Sequence, residues 1–312
     1  MNGEAVDAEG YLGGKPAVIN IAAVGGKQYA SLVDAVAAAT ELAATTSDVS
    51  IDVFGDETFT EAATLKLPAN VQLSFSESVT IEGPLTIDGQ NLSRTSKNSR
   101  NPIVVVASES AAAGKTLTLK GVTVRNFHMP VSTGSSGNYC AALRTNAYNT
   151  IVLDGATITG NKGEIGGVYI TSNGSVVVKN NSVVSNNESL AAFNQGVIFL
   201  NGTSSSLVAS DSTFSGNVSA TRGIITLIGK KSSFTNCVFE NNSGSYLGVI
   251  HTRNANTVLP VEGCTFTNNT STAANGAAIY SVLGSTTVTN STFTGNTKNV
   301  YVEGGTVSGV AN

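Results

Sequence analysis

The sequence is poor in charge and in aromatic residues, and these shortages exclude several classes of protein. Lysine, arginine, aspartate and glutamate make up 12% of the 312 residues, the formal net charge is −4, and tryptophan is absent. No basic stripe is interleaved with aromatic side chains, which disfavours nucleic-acid binding. No apolar run approaches the length of a transmembrane helix. We recognise no signal peptide, and we expect any export signal to have been removed.

Cysteine and histidine are also scarce, with three of the first and two of the second. Their positions show none of the paired Cys/His spacings that structural zinc sites use. We therefore predict that the chain holds no metal and needs no cofactor.

The sequence is rich in a repeat that ends in asparagine. Aromatic-x-x-Asn begins at Phe214, Phe239, Phe266 and Phe293, with aliphatic versions at Ile158 and Val184, in steps of 25 to 30 residues. A period of this size indicates a stack of supersecondary units. Each repeat holds short alternating segments bounded by Gly, Asn, Ser and Asp, which is typical of strands and turns. We interpret each repeat as one coil of a parallel β-helix, rising about 4.8 Å.

Aligning the repeats on the aromatic position places similar residues in rows. One row is an interior ladder that ends in Phe214, Phe239, Phe266 and Phe293. Another row holds Asn161, Asn187, Asn217, Asn242, Asn269 and Asn296, whose amides can hydrogen-bond from coil to coil. Cys237 and Cys264 share a small inward row, where parallel side chains favour reduced thiols, and Cys140 is expected to be unpaired.

The N-terminal third predicts a cap for this stack. Residues 30–44 form the one convincing helical pattern, with Ser31 as N-cap and Asp34 three residues later. Together with the short alternating segments after it, this helix resembles the N-terminal cap of pectin-lyase-like β-helices. We expect residues 1–16 to be a linker or sequence added for expression. The rest should be one domain, 17–312, with irregular coils at 17–116 and regular coils of about 27 residues at 117–305.

A second motif follows the first in each repeat and begins with glycine, as in Gly167-Val168-Tyr169-Ile170 and Gly248-Val249-Ile250-His251. The two motifs together resemble the paired repeats of polymorphic outer-membrane proteins and of adhesin-like surface proteins, over roughly residues 117–305. The resemblance implies an all-β, right-handed, single-stranded parallel β-helix displayed on a cell surface, with adhesion as its usual role.

The phase of the second motif predicts an apolar outer face. If the first and third residues after the glycine point inward, the second and fourth point outward. That pair of rows contains Tyr169, Ile198, Leu200, Ile225, Leu227, Ile250 and Tyr280. Exposed apolar residues on adjacent coils usually mark a contact site. An error of one residue in phase, or loops folded over the rows, would remove this face.

The catalytic reading has less support in the sequence. The acids of one register, Asp154 and Glu262, are four coils apart, about 19 Å, too far to act on one glycosidic bond. Arg144, Arg222 and Arg253 have no carboxylate at matching registers, and His251 falls in a row interpreted as inward. The loops 88–102 and 126–140 could still bring together four candidates for acid–base chemistry. These are Asp88, Arg94, Arg100 and His128.

We therefore expect an extracellular or cell-surface, non-catalytic module that binds a host, glycan or protein partner. The alternative is a polysaccharide lyase or glycosidase of the pectin-lyase-like class. A remote third reading is an ice-binding solenoid, from the hydroxyl face around Thr157-x-Thr159 and Thr265-x-Thr267, although exposed threonine is ordinary in strands.

Overall fold

A computed structural model shows a solenoid built almost entirely of parallel strands. It describes residues 19–94, 101–108, 110–130, 140–190, 195–220, 222–229, 231–273 and 276–310, together with the backbone of the short strands Tyr11–Leu12 and Lys15–Pro16. Successive coils pair in register through long sheets, so the prediction of a parallel β-helix is confirmed.

Sheet 1 carries the aromatic ladder on its inner side. Its strands are Ala63–Lys66, Leu85–Asp88, Thr123–Arg125, Thr157–Thr159, Val183–Ser185, Thr213–Ser215, Val238–Glu240, Thr265–Thr267 and Thr292–Thr294. The phenylalanines pair coil to coil, and neighbouring rings stack with centroids 4.7 to 4.9 Å apart. Outside, the threonine rows are interrupted by Val183, Val238 and Glu240.

Sheet 2 follows sheet 1 along the chain. Its strands are Ala22–Val24, Lys27–Tyr29, Val49–Val53, Val71–Phe75, Ile103–Val105, Leu143–Thr145, Val168–Ile170, Ile198–Leu200, Ile225–Leu227, Gly248–Thr252, Ala277–Ser281 and Val300–Val302. Ala22–Val24 pairs antiparallel with Lys27–Tyr29 and with Val49–Val53, and the other pairings among the described strands of this sheet are parallel.

Sheet 3 completes each coil, and sheet 4 is a narrow ribbon after sheet 1. Sheet 3 consists of Glu57–Thr58, Val79–Glu82, Thr116–Lys120, Thr150–Asp154, Ser175–Lys179, Ser206–Ser210, Lys231–Thr235, Val258–Glu262, Ser285–Thr289 and Thr306–Ser308. Sheet 4 consists of Lys162–Gly163, Glu188–Ser189, Val218–Ser219, Ser243–Gly244 and Thr270–Ser271. One apolar core fills the space between the long sheets.

The helix Leu32–Ala43 covers the N-terminal end of this core. The hydroxyl of Ser31 accepts a hydrogen bond from the Asp34 N–H at 3.1 Å, as the cap pattern predicts. Leu32 and Val36 are buried on the face toward the solenoid, which protects the first strands from pairing with another chain.

The asparagine row forms a buried chain of hydrogen bonds. Asn217 shows the pattern, because its Nδ2 donates to Val184 O at 2.8 Å and to Asn242 Oδ1 at 3.0 Å. Its Oδ1 accepts from the backbone N–H and the Nδ2 of Asn187, both at 3.1 Å. The same contacts recur along the row, so each side-chain amide from Asn161 to Asn269 joins three coils.

Candidate ligand-binding face

The expected apolar outer face does not exist, because all seven of its residues are buried. Ile198, Leu200, Ile225, Leu227 and Ile250 belong to the core, and Tyr169 and Tyr280 are 3% and 5% exposed. For the five aliphatic residues the error lies in the phase, whereas Tyr169 and Tyr280 do point away from the core but are buried. Val168 pairs with Ile198, so the residue opposite Gly196 is Gly166 rather than Gly167. A shift of one residue exchanges the two faces of a strand.

The side chains that do point away from the core of sheet 2 form what we call the outer row. In register it contains Arg144, Tyr169, Phe199, Thr226, His251, Tyr280 and Tyr301. This row alternates with the two buried aliphatic rows on either side. It is aromatic at most positions and basic at one end.

The first half of the outer row is a closed structural cluster. The rings of Tyr169 and Phe199 stack with centroids 5.7 Å apart, and the Arg144 guanidinium lies 5.1 Å from the Tyr169 ring centre. Cys140 and Ile165 pack with these rings. Burial raises the pKa of the Cys140 thiol to about 12, so this thiol stays protonated and serves packing.

Around the second half of the row lies a group of aromatic and charged residues that we call the aromatic–basic cluster. It comprises Arg222, Tyr246, His251, Arg253, Tyr280, Lys298, Tyr301 and Glu303. Tyr280 lies between His251 and Tyr301, with ring centroids at 6.0 and 4.9 Å. The Lys298 Nζ is 4.9 Å from the Tyr301 ring centre. Tyr246 is 59% exposed, so an aromatic surface faces solvent beside this row.

Glu303 is the acid that contacts the cluster. Its Oε2 accepts a hydrogen bond from the Tyr280 hydroxyl at 3.0 Å. Burial, followed by this carboxylate, raises the pKa of Tyr280 to about 12. The phenol is therefore a hydrogen-bond donor at neutral pH and not a base.

The basic residues of the cluster lack ion-pair partners among the described residues. The ion pairs among the described residues lie elsewhere on the solenoid. Examples are Lys120 with Glu82 at 2.6 Å and Lys179 with Asp154 at 3.2 Å. Those two pairs belong to one row of alternating charge on sheet 3. Arg222 has a positive neighbour instead of a carboxylate: burial and then the positive charge of Arg253 lower its pKa. With three basic residues, Arg222, Arg253 and Lys298, and one acid, Glu303, the cluster has a net positive charge in an acidic protein.

His251 is buried as expected, but on the outer side of sheet 2 and not among the inward residues. Its side chain is fully buried, and neither ring nitrogen has a hydrogen-bond partner among the described residues. The hydroxyl of Thr226, one coil earlier, is in the same condition. Buried polar atoms without partners are rare and costly, and they often mark functional positions.

Acid should destabilise the protein through His251. Burial and then the charges of Arg222 and Arg253 hold the pKa of this imidazole well below 6.5. The unfolded chain binds a proton here that the folded protein excludes. The free energy of unfolding should therefore fall as the pH drops below about 6.5, by up to about 1.4 kcal/mol per pH unit.

Denaturant unfolding at several pH values between 5 and 8 would measure this slope in the wild type and in His251→Gln. Only the wild type should lose stability between pH 6.5 and 5 beyond the loss shared by both proteins. Identical slopes would show that His251 accepts its proton in the folded state as readily as in the unfolded one.

In the described parts of the loops suspected of catalysis, the candidate acid–base residues make structural contacts. Arg94 is fully buried, and its guanidinium donates to the carbonyls of Val71 at 2.7 Å, Pro68 at 2.9 Å and Leu67 at 3.1 Å. Burial lowers its pKa to about 9, which still leaves it charged at neutral pH. Arg94 therefore holds loop backbone in place, and Arg100 lies outside the described residues.

Asp88 and His128 have structural contacts as well. Burial alone would raise the pKa of Asp88, but hydrogen bonds from Gln90 N, Asn126 and Arg125 lower it below its usual value. A carboxyl group of this kind is a poor general acid at neutral pH. The backbone of His128 pairs with that of Ser93.

A shallow groove of about 860 Å³ lies on the outer side of sheet 3. It is lined by Ser204, Ser206, Val208, Lys231, Ser232, Ser233, Asn256, Val258 and Pro260. Pro260 has no N–H to donate, and the strand pairing passes from Lys231–Val258 to Phe234–Val261 around it. Val208 and Val258 are exposed there. The lining includes one charged residue and no aromatic ring, so it offers a ligand fewer specific contacts than the aromatic–basic cluster.

The described part of the chain shows neither a metal-binding group nor a membrane-spanning helix. That part contains no group of three or more His, Cys, Asp or Glu side chains placed to hold a metal ion. Its helices include none that is long and apolar enough to cross a membrane.

No protein-family model matches this chain. No curated protein matches it either. Among solved structures it is similar to the catalytic domain of a GH87 alpha-1,3-glucanase in complex with nigerose, and to a variant of that domain with one substitution. Identity is 13% in both cases, with TM-scores of 0.26 and 0.27. The match covers 88% of this chain and 66% of the glucanase chain, just under two thirds of its length. A likeness this weak shows neither a shared activity nor a shared substrate.

Proposed function

We propose that this protein is a non-catalytic, extracellular or cell-surface module that binds a glycan through the aromatic–basic cluster. One observation carries the proposal: the exposed Tyr246 lies near Arg222, Lys298 lies over the ring of Tyr301, and neither cation has an ion-pair partner among the described residues. Aromatic rings offer flat apolar surfaces, and guanidinium groups offer forked donors. A sugar presents the matching apolar ring faces and hydroxyl acceptors.

The surface location is supported by the sequence. The paired Phe-x-x-Asn and glycine motifs are similar to those of polymorphic outer-membrane proteins and adhesin-like proteins. A low charge content and a solenoid rich in Ser, Thr, Asn and Gly suit an exported protein. On such a protein, the loops and one lateral face would contact a host, glycan or protein partner.

The alternative function is cleavage of a polysaccharide. Hydrolysis by the usual routes needs two carboxyl groups about 5 to 10 Å apart, flanking one glycosidic bond. In the cluster, Glu303 is the carboxylate in contact, and it is engaged by Tyr280. A binding function requires no second acid, so the observed contacts favour binding over hydrolysis.

A panel of neutral and acidic polysaccharides tests the proposal when binding and turnover are measured on the same samples. We expect at least one glycan to bind in a retention or calorimetric assay, with no release of reducing or unsaturated ends. Release of such ends would establish the enzyme reading instead. An absence of binding across the panel would contradict the glycan-binding function.

A further inference from the structure

In the aromatic–basic cluster, Arg222 and Arg253 lie near one buried polar side chain, His251. Gly223 packs directly on His251, since a β-carbon on this glycine would lie 3.1 Å from the histidine Cβ. Its neighbour Arg222 is therefore beside the imidazole. Arg253 lies two residues after His251, just beyond the end of the strand Gly248–Thr252, and its N–H donates to Leu227 O at 3.0 Å. The two arginines thus flank His251 from opposite ends of the strand.

Two buried side chains near these arginines lack hydrogen-bond partners. His251 and Thr226 are fully buried in adjacent coils, and their polar side-chain atoms have no partner among the described residues. Burial of such groups without partners is costly. Burial and then the positive charge of Arg253 lower the pKa of Arg222, so two like charges near one another add to this cost.

We propose that Arg222 and Arg253 form a subsite for the anionic group of an acidic sugar, a carboxylate or a sulfate, above Thr226 and His251. This inference rests on the proposed glycan-binding function and names the class of glycan. An oxyanion accepts forked hydrogen bonds from guanidinium groups and relieves their mutual repulsion. The neighbouring, exposed Tyr246 would contact the apolar face of the sugar ring.

Matched dextrans separate the anionic group from the sugar backbone. Dextran, carboxymethyl-dextran and dextran sulfate share one backbone and differ in charge. We expect the wild-type protein to bind at least one charged form more than about 10-fold tighter than dextran, since charge-assisted hydrogen bonds contribute that much or more. This preference should weaken at higher ionic strength. Arg222→Ala and Arg253→Ala should each weaken binding of the charged form about 10- to 100-fold.

Lys231→Ala provides the matched control, because it removes one cation from the groove on sheet 3 and leaves the cluster intact. Its affinity should equal that of the wild type. Both arginine variants should melt at or above the wild-type temperature, because each relieves repulsion between like charges. A structural role for either arginine would instead lower the melting temperature.

Three results would overturn the subsite. These are equal affinity for charged and neutral dextrans, equal losses in Lys231→Ala and the arginine variants, and no binding of either charged dextran. The glycan panel decides the proposed function independently, because a neutral glycan that binds there would uphold glycan binding while the anion subsite fails.

Discussion

Replacing Asn217 with aspartate should lower the free energy of unfolding by about 3–5 kcal/mol, although the two side chains have nearly the same shape. The amide of Asn217 donates to Val184 O and to Asn242 Oδ1. Aspartate would face both acceptors with an oxygen. The site is fully buried, so water cannot replace the lost donors. Denaturant unfolding followed by circular dichroism measures the loss.

Asn296→Asp is the matched control at the last coil. Asn296 is half-buried, and its amide donates to Phe266 O at 2.9 Å and to Asn299 Oδ1 at 3.3 Å. Solvent can reach this end of the row, so we expect a loss below about 2 kcal/mol. Equal losses at the two positions would mean that the buried hydrogen-bond chain does not stabilise the stack.

Phe239→Ala should cost about 3–5 kcal/mol through loss of packing. The ring stacks on Phe214 at 4.9 Å and on Phe266 at 4.7 Å, and it meets Phe234 edge-on at 5.3 Å. Its removal opens a cavity in a core that is held by neighbours in both directions along the solenoid. The midpoint of denaturant unfolding reports the change.

Phe293→Ala removes the same ring at the end of the stack, where one neighbour, Phe266, lies at 4.8 Å. Phe293 is half-buried, and its loss should be less than half of that at Phe239. Phe239→Leu should recover part of the lost stability because it fills part of the cavity. Equal losses of unfolding free energy in Phe239→Ala and Phe293→Ala would show that stacking between two neighbouring rings adds no stability.

The solenoid could be predicted because its contacts repeat. The spacing of Phe214, Phe239, Phe266 and Phe293 fixes which residues lie above one another, and the structure pairs these four in register. A buried row tolerates few side chains, so its chemistry is visible in one sequence. The N-cap at Ser31 was readable for a similar local reason.

The candidate site was not predictable in the same way. Its glycine motif begins one residue earlier in some coils than in others, as the pairing of Val168 with Ile198 shows. Because of this one-residue difference, an alignment on the glycines puts Tyr169 and Ile198 in one row, although they lie on opposite faces of sheet 2. Alignment on the aliphatic residues would have placed His251 and Tyr280 in one outer row. Part of that row is buried by residues between the strands, such as Cys140 and Ile165, whose positions the repeat pattern does not predict.

The most direct test of the central claim is the affinity of a bound glycan for Tyr246→Ala, measured beside Val208→Ala. Both side chains are exposed, at 59% and 43%, so neither variant should lose its fold. We expect Tyr246→Ala to weaken binding at least about 10-fold, since aromatic anchors commonly contribute this much, while Val208→Ala binds as the wild type. Unchanged binding in Tyr246→Ala with a loss in Val208→Ala would place the ligand on sheet 3 and contradict the account.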